Sequence, residues 1–557
     1  MKALPNASIW VGVLLAVLPV SASAQDEGND EGQGPGNQQS ETDTESEFVT
    51  AYLHSEIQFD PLESFTSTEA QIYTALYEGL VSYHPLTLDP VPGVAERWES
   101  SPDGLTYRFY LRQDARYSNG DAVLAEHFRD TWLELVDPRN DSAYSFLFDI
   151  IEGAEEYRTG EETDPDTVGI YVESADVLRV ELEHPATHFV DILCHHSFSA
   201  LHPDMRAADD VEDLPELITN GPYRMDRHDD EEIVLEENEY YWDRRNVSIP
   251  RLRFVFGDDP GDITEAFNDE EIDWVAGGMD LERVKYEDTI QVNPLFATTY
   301  FFLNTGRPGL ENPRVRRALL RLLPLEQMRS EDLHFIPADT LVPSIPLYPE
   351  VEGIREQRID DALETLAEEG HPAGEDLGPI VVRMPRGAEA DPVTTLMVES
   401  WREHLDVDVE LETRAYDSYF DSLSDDEYTV GQISWIGDFA DPLTFLQMWT
   451  SRSNLNDSGF ADEEFDELLR TSMSQTGNRR FQTLAESEQR LLDSAVVLPV
   501  SHTPAINLID LNRVEGWYSN SLDIHPYKYL ELAGRRPLPG TAGDLHRRLP
   551  VGFTARP

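Results

Sequence analysis

Cysteine occurs once in the 557 residues, at Cys194, and lysine only three times, at Lys2, Lys285 and Lys528. A single cysteine excludes an intramolecular disulfide and any metal knuckle built from cysteine pairs. With so little lysine, arginine supplies nearly all of the 42 positive residues, against 108 aspartates and glutamates and a formal net charge of -66. A field of that sign repels phosphate backbones at long range and excludes a nucleic-acid binder. Long apolar runs are scarce too: IWVGVLLAVLPV at 9–20 is too short to cross a bilayer as a stable helix. What remains is a folding chain, 40% hydrophobic, whose length favours two or three domains over one core. The acidity fits a saline environment, where salt screens self-repulsion and carboxylates keep the surface hydrated. A lineage-wide acidic composition is the alternative.

The amino terminus reads as a targeting segment. MKALPNAS carries Lys2, the apolar run follows, and SASA at 21–24 supplies the small residues of a cleavage site after Ala24. Residues 1–24 are therefore expected to be a signal peptide. No cysteine lies near the cleavage point, so the exported chain is not expected to be a lipoprotein. Residues 25–47 hold eight acidic residues and no basic one, and read as a disordered acidic leader. At the other end, 532–557 is interrupted by Gly and Pro and rich in Arg, and reads as a basic extension outside the fold.

The body mixes strands and helices. FVTAYL at 48–53 and LTYRFYLR at 105–112 read as strands, and Ile72, Leu76 and Leu80 recur at helical spacing. Val315, Ala318, Leu319, Leu322 and Leu323 share one helical face, which Pro324 limits. A helix is predicted at 391–405, a strand at 428–437 running into a Gly-Asp turn, and a buried strand at 496–510 leading into a polar turn. Alternation of this kind without an internal repeat predicts two α/β lobes.

Most enzyme readings lack a motif. H-E-x-x-H, G-x-S-x-G and G-x-x-x-x-G-K-[ST] are all absent. His184, His188, His195, His196 and His202 cluster beside Cys194, but Phe189, Ile192 and Leu193 among them look like packing positions. They read as structural or surface histidines, with a metal site as the alternative. Carboxylate pairs select nothing in so acidic a chain. The informative stretch is SWIGDFADPLTFLQMWTSRSNLNDSGF at 434–460, where aromatics and aspartates gather at the end of an interior strand. A cleft needs aromatic walls and a few oriented polar groups, and a carboxylate there could pair with an ammonium. Ordinary core and an ordinary Asp441-Pro442 turn would leave the same pattern.

Five segments follow one another along the chain: LHSEIQFDPLESFTSTEAQIYTALYEGLVSY at 53–83, GVAERWESSPDGLTYRFYLRQDARYSNGDAV at 93–123, TNGPYRMDRHDDEEIVLEENEYYWD at 219–243, ENPRVRRALLRLLPLEQM at 311–328 and WIGDFADPLTFL at 435–446. In these segments and their order the chain resembles, over about 48–530, the family 5 extracellular solute-binding proteins, the oligopeptide/dipeptide-binding receptors of ABC importers.

That resemblance implies an α/β, two-lobed periplasmic-binding-protein fold (type II, cluster C) with an additional inserted subdomain and two interlobe crossovers. The first lobe is expected at 48–90, 216–298 and 501–531, its insertion at 91–215 and the second lobe at 299–500. The implied ligand is a short peptide held extended between the lobes and passed to membrane-embedded ABC permease subunits by a monomer with no cofactor, no catalytic residue and no metal. Asp438 of the W-x-x-D element is expected to take the peptide α-ammonium, and Trp435 to wall a side-chain pocket beside Phe439. Glu56 and Ile57 fall in the first-lobe loop that approaches the ligand. Gln432 stands where some oligopeptide receptors carry an arginine for the peptide carboxylate, which puts that contact in doubt. A different solute in the same fold (nickel or a metal chelate, haem, an oligosaccharide) is the alternative, and a carboxylate-based hydrolase a more distant one.

Overall fold

The apolar run Phe48–Tyr52 becomes an inner strand of a seven-stranded sheet in the computed structural model, which describes residues 47–533 except 54–56, 65, 141, 143, 187, 209–215, 230, 331–335, 387–390 and 426. The expected signal peptide, the leader up to residue 46 and the extension beyond residue 533 lie outside the described residues, as does Glu56. The sheet order is Ile290–Asn293, Ala505–Ile509, Trp274–Ala276, Glu47–Leu53, Arg251–Gly257, Glu232–Glu237, Tyr223–His228. Glu47–Leu53 runs parallel to both neighbours and is buried on both faces, so its sequence is continuously apolar and does not alternate. Glu47, read from sequence as the end of the leader, pairs in register with Arg251 and accepts from Arg253 Nε at 2.9 Å.

A second sheet has five strands, in the order Val409–Arg414, Ile380–Pro385, Val430–Ile436, Ala297–Leu303, Val497–Ser501. The chain passes between the two sheets at 294–296 and again at 502–504. The second passage corrects the sequence reading of 496–510. That segment is two buried strands in different sheets, Val497–Ser501 and Ala505–Ile509, and its polar middle is a crossover. His502 Nδ1, on this crossover, lies 3.0 Å from Thr298 Oγ1 on strand Ala297–Leu303, which follows the other one. Asp523 ties the neighbouring strands together by accepting from Asn293 Nδ2 at 2.9 Å and Asn507 Nδ2 at 3.0 Å. Burial pushes the Asp523 carboxyl up, but His525, Asn507 and Asn293 outweigh it and hold the group below the usual range.

A four-stranded antiparallel sheet, Ala95–Ser100, Thr106–Leu111, Val177–Glu181, Ile170–Ser174, stands apart from both and carries helix Ala125–Leu135 on one face. Each of the three layers is centred on a fully buried tryptophan whose indole N–H has found an acceptor, as a buried indole requires. Trp132 donates to Phe198 O at 3.1 Å, Trp274 to Asn507 Oδ1 at 2.8 Å and Trp401 to Leu319 O at 2.9 Å. No helix among the described residues is long and apolar enough to cross a membrane.

Helix Gly477–Asp493 packs beside the five-stranded sheet and carries a buried carboxylate, Glu488. Its Oε1 accepts from the backbone N–H of Leu341 at 2.8 Å and Val342 at 2.9 Å, and its Oε2 from Tyr348 Oη at 2.9 Å. Burial lifts the Glu488 carboxyl to about 7, against the pull of these donors. Glu488→Ala leaves two buried N–H groups without an acceptor, each worth about 1–3 kcal/mol. The urea midpoint of the variant is expected to fall accordingly, with Glu488→Gln losing less. An alanine variant unchanged from the parent would show that the loop at 341–348 is held by packing alone.

Candidate ligand-binding site

Strand Val430–Ile436 ends at the turn Gly437-Asp438, where the backbone must pass close to its neighbours. A Cβ on Gly437 would lie 2.8 Å from Thr444 Cγ2 and 2.9 Å from Phe296 Cδ1, so only glycine fits. The close approach brings Asp438 onto Thr444, on the short helix Leu443–Leu446. Thr444 Oγ1 accepts from the Asp438 N–H at 2.9 Å and donates to Asp438 Oδ2 at 3.0 Å. Oδ1 accepts no hydrogen bond among the described residues, and His195 Nε2 stands 3.8 Å from it. Asp438 is only 7% exposed, and burial lifts its carboxyl to about 7 against the Thr444 hydrogen bond. A carboxylate in that condition is poorly solvated and has one oxygen to offer a cation.

Asp438 lies on the wall of a cavity of about 620 Å³. One wall comes from the strand end, with Ile433, Ser434 and Trp435. Trp435 is half-buried, and its Nε1 donates to Thr444 O at 3.1 Å, which fixes the ring against the same short helix. The opposite wall comes from helix Ser67–Leu76 and the segment after it, from Tyr144, and from 194–199. The helix is started by Thr66, whose hydroxyl accepts from the Glu69 N–H at 3.2 Å, with Glu69 returning to the Thr66 N–H at 3.0 Å. Tyr83 closes the two walls together, donating from Oη to the Asp438 carbonyl at 3.3 Å. The rings of Tyr144 and His195 meet edge to face at 4.3 Å, and His195 lies 4.1 Å from His196.

These histidines are neutral packing groups. Burial drives His196 down to about 3 and His195 well below its ordinary value. His196 Nε2 is 3.0 Å from Ser64 Oγ. His188 stacks on Phe439 at 6.0 Å and 16°, held down to about 4 by burial, and His202 meets Asp121 at 3.2 Å. His195 and His196 thus share one wall while His188 and His202 pack elsewhere, and no three His, Cys, Asp or Glu side chains among the described residues converge as a metal site would need. Burial also pushes the Cys194 thiol well above its ordinary value, which removes it as a nucleophile.

Of the residues singled out in the sequence, Asp438 and Trp435 are on the cavity wall. Gln432 is not. It is buried one turn of the pleat further in, and Tyr419 Oη bridges its backbone, accepting from its N–H and donating to its carbonyl, both at 2.8 Å. Phe439 turns away at the bend and is covered by His188. Ile57 is half-buried and off the wall.

Sequence reasoning missed Tyr83, Tyr144, His195 and Lys528. Lys528 Nζ is buried on the wall, 3.2 Å from Glu78 Oε1 and 3.0 Å from Tyr241 Oη. Glu78 is satisfied as well, accepting from Tyr241 Oη and Trp242 Nε1, both at 2.5 Å. A lone lysine set in the aromatic string HPYKYLEL, in a chain that otherwise uses arginine, was the available signal.

The sequence profile of the bacterial extracellular solute-binding proteins, family 5 (middle region), matches residues 89–457. The chain belongs to this family. Among curated relatives, the oligopeptide-binding protein OppA of Bacillus subtilis is 27% identical over 448 residues, 74% of this chain and 79% of that one. The periplasmic oligopeptide-binding protein OppA of Escherichia coli is 28% identical over 477 residues, 80% of this chain and 85% of that one. Among solved structures, the murein tripeptide binding protein MppA of Escherichia coli superposes with a TM-score of 0.79 at 23% identity, covering 87% of this chain and 98% of that one. As a family 5 solute-binding protein the chain has the two-lobed α/β fold of these neighbours.

Proposed function

We propose that this protein is the extracytoplasmic receptor of an ABC importer and that it binds short peptides in the cavity at Asp438. Asp438 Oδ1 takes the peptide α-ammonium, Trp435 walls a side-chain pocket, and Tyr83 and Tyr144 face them. The observation that carries the reading is a buried carboxylate with one oxygen unclaimed, opening on a roomy cavity with aromatic walls. Membership of the family and the peptide-binding names of its relatives support it. Binding is reversible and involves no covalent chemistry. The first lobe is assigned to 48–90, 216–298 and 501–531, its insertion to 91–215 and the second lobe to 299–500. The lobes close on the ligand by movement about the two crossovers. The chain acts as a monomer in the periplasm, exported by a cleavable signal at 1–24 and not lipidated, and hands its peptide to membrane permease subunits.

Calorimetric titration of protein unfolded, dialysed and refolded to strip endogenous ligand is expected to give saturable heat with a mixed pool of tri- to pentapeptides. A flat titration with correctly refolded protein would sink the peptide reading.

A further inference from the structure

Tyr144 and Leu455 both stand on the cavity wall, and the segments that carry them are fastened together outside it. After Tyr144 the short turn Ser145–Ile150 leads to helix Ala154–Arg158. Arg158, at the end of that helix, is 8% exposed and grips Asp149 of the turn through Nε at 2.8 Å and Nη2 at 2.6 Å. The same Nη2 donates at 3.2 Å to the carbonyl of Arg452, 294 residues away. Arg452 returns the grip, its guanidinium reaching Glu161 at 2.9 Å and Glu155 at 3.4 Å. Beside it Asn454 Nδ2 donates to Ser142 O at 3.1 Å. The loop that presents Arg452 is itself braced. Asn456 Nδ2 donates to Phe460 O at 2.7 Å and Thr450 O at 3.1 Å, and Ser451 Oγ donates to Asp466 Oδ2 at 2.5 Å.

We propose, on the reading that the cavity binds peptides, that the interlocked Arg158 and Arg452 form a clasp that sets how long a ligand stays without touching it. None of Asp149, Glu155, Arg158, Glu161 and Arg452 is on the cavity wall. On the lobe assignment given above, the clasp ties the inserted subdomain to the second lobe, and the seam between Tyr144 and Leu455 opens only when Arg452 leaves Glu155 and Glu161. An exposed ion pair alone contributes little. Here one guanidinium is shared by two carboxylates while its own carbonyl is held by a buried one, so the contacts part together in a single opening. A ligand behind the seam leaves no faster than that opening allows. Salt weakens the exposed half of the clasp, Arg452 with Glu155 and Glu161, more than the buried Arg158.

The chain carries its own reporter of opening. Cys194, its single cysteine, lies on the cavity wall and is 9% exposed. The test follows by mass spectrometry the rate at which N-ethylmaleimide labels Cys194 in refolded, ligand-free protein at low and high NaCl. In parallel, stopped flow follows the release of a tripeptide with a free amino terminus and a dye on a lysine side chain. Arg452→Gln is expected to raise the labelling rate about tenfold at low salt with the urea midpoint little changed. Peptide release should quicken by a similar factor, and association should change less. High salt is expected to speed labelling of the parent and to leave Arg452→Gln nearly unmoved. Glu155→Gln/Glu161→Gln is expected to act like Arg452→Gln, and all three substitutions together to add little. One labelling rate for parent and variants, or effects that simply add, would overturn the clasp. Faster labelling with unchanged peptide release would overturn its hold on the ligand. Absence of binding by every peptide would overturn the peptide reading, and the labelling rates would still decide whether the clasp closes the cavity.

Discussion

Replacing Lys528 by methionine is expected to destabilise the folded protein by about 3–5 kcal/mol, the cost of stranding one partner of a buried ion pair. Glu78 is 4% exposed and would keep its Tyr241 and Trp242 donors but lose the one cation it touches among the described residues. The damage spans distant segments, because Lys528, Glu78 and Tyr241 join three parts of the chain that meet only in the native fold. Urea unfolding at neutral pH should show the shift in midpoint. The double variant Glu78→Gln/Lys528→Met removes the orphaned charge and should recover a substantial part of the loss. Lys528→Arg should also be costly, since a planar fork with five donors replaces a compact ammonium sized to its cage. A single methionine variant as stable as the parent, or a double variant worse than both singles added, would refute this account of the pair.

Asp438→Asn should move stability and affinity in opposite directions. The folded carboxyl sits at about 7 against 3.8 for the unfolded chain. A raised carboxyl contributes stability below pH 3.8 that is lost as pH rises through 7, so at pH 8 the ligand-free protein carries the full penalty of a buried, half-satisfied charge. The shift corresponds to a few kcal/mol, at about 1.4 kcal/mol per pH unit. Asparagine removes that penalty while still accepting from the Thr444 hydroxyl, so the ligand-free variant should melt higher at pH 8 and no higher near pH 4. Peptide affinity should fall by about 100-fold, in the range of about 2–5 kcal/mol found for truncating a buried charge pair. In the parent, affinity should drop about tenfold per unit below pH 7 as Asp438 protonates, and again above about pH 8 as the peptide amine loses its proton. The acid limb should vanish in the variant. A variant less stable at pH 8 with undiminished affinity would assign Asp438 to the scaffold.

The half of the site that lies on one strand and its turn was legible in the sequence. A strand read from 428–437, ending in Gly-Asp among aromatics, pointed to the stretch 434–460, and the family resemblance singled out Trp435 and Asp438 within it. Their neighbours Gln432 and Phe439 lie off the cavity wall. Gln432 lies deeper on the strand with its backbone clamped by Tyr419, and Phe439 follows a bend that turns its ring onto His188. Periodicity gives the facing of a residue only while the strand continues, and the bend at Gly437 ends it.

The opposite wall was not legible. Tyr83 lies 355 residues from Asp438 along the chain, and the Glu78–Lys528 contact spans 450. Local pattern carries no information on such pairings. The segment 496–510 shows the same limit at the level of fold. Its apolar pattern reads as one buried strand, and nothing local to it marks the change of sheet at 502–504.

The central claim is that Asp438 holds a ligand ammonium in this cavity. Its most direct test is a calorimetric comparison, at pH 7.5, of one tripeptide with a free amino terminus and the same peptide N-acetylated. Acetylation removes the cation and leaves every other contact available. Loss of about 100-fold or more in affinity is expected, and equal affinity for the two peptides would contradict the claim.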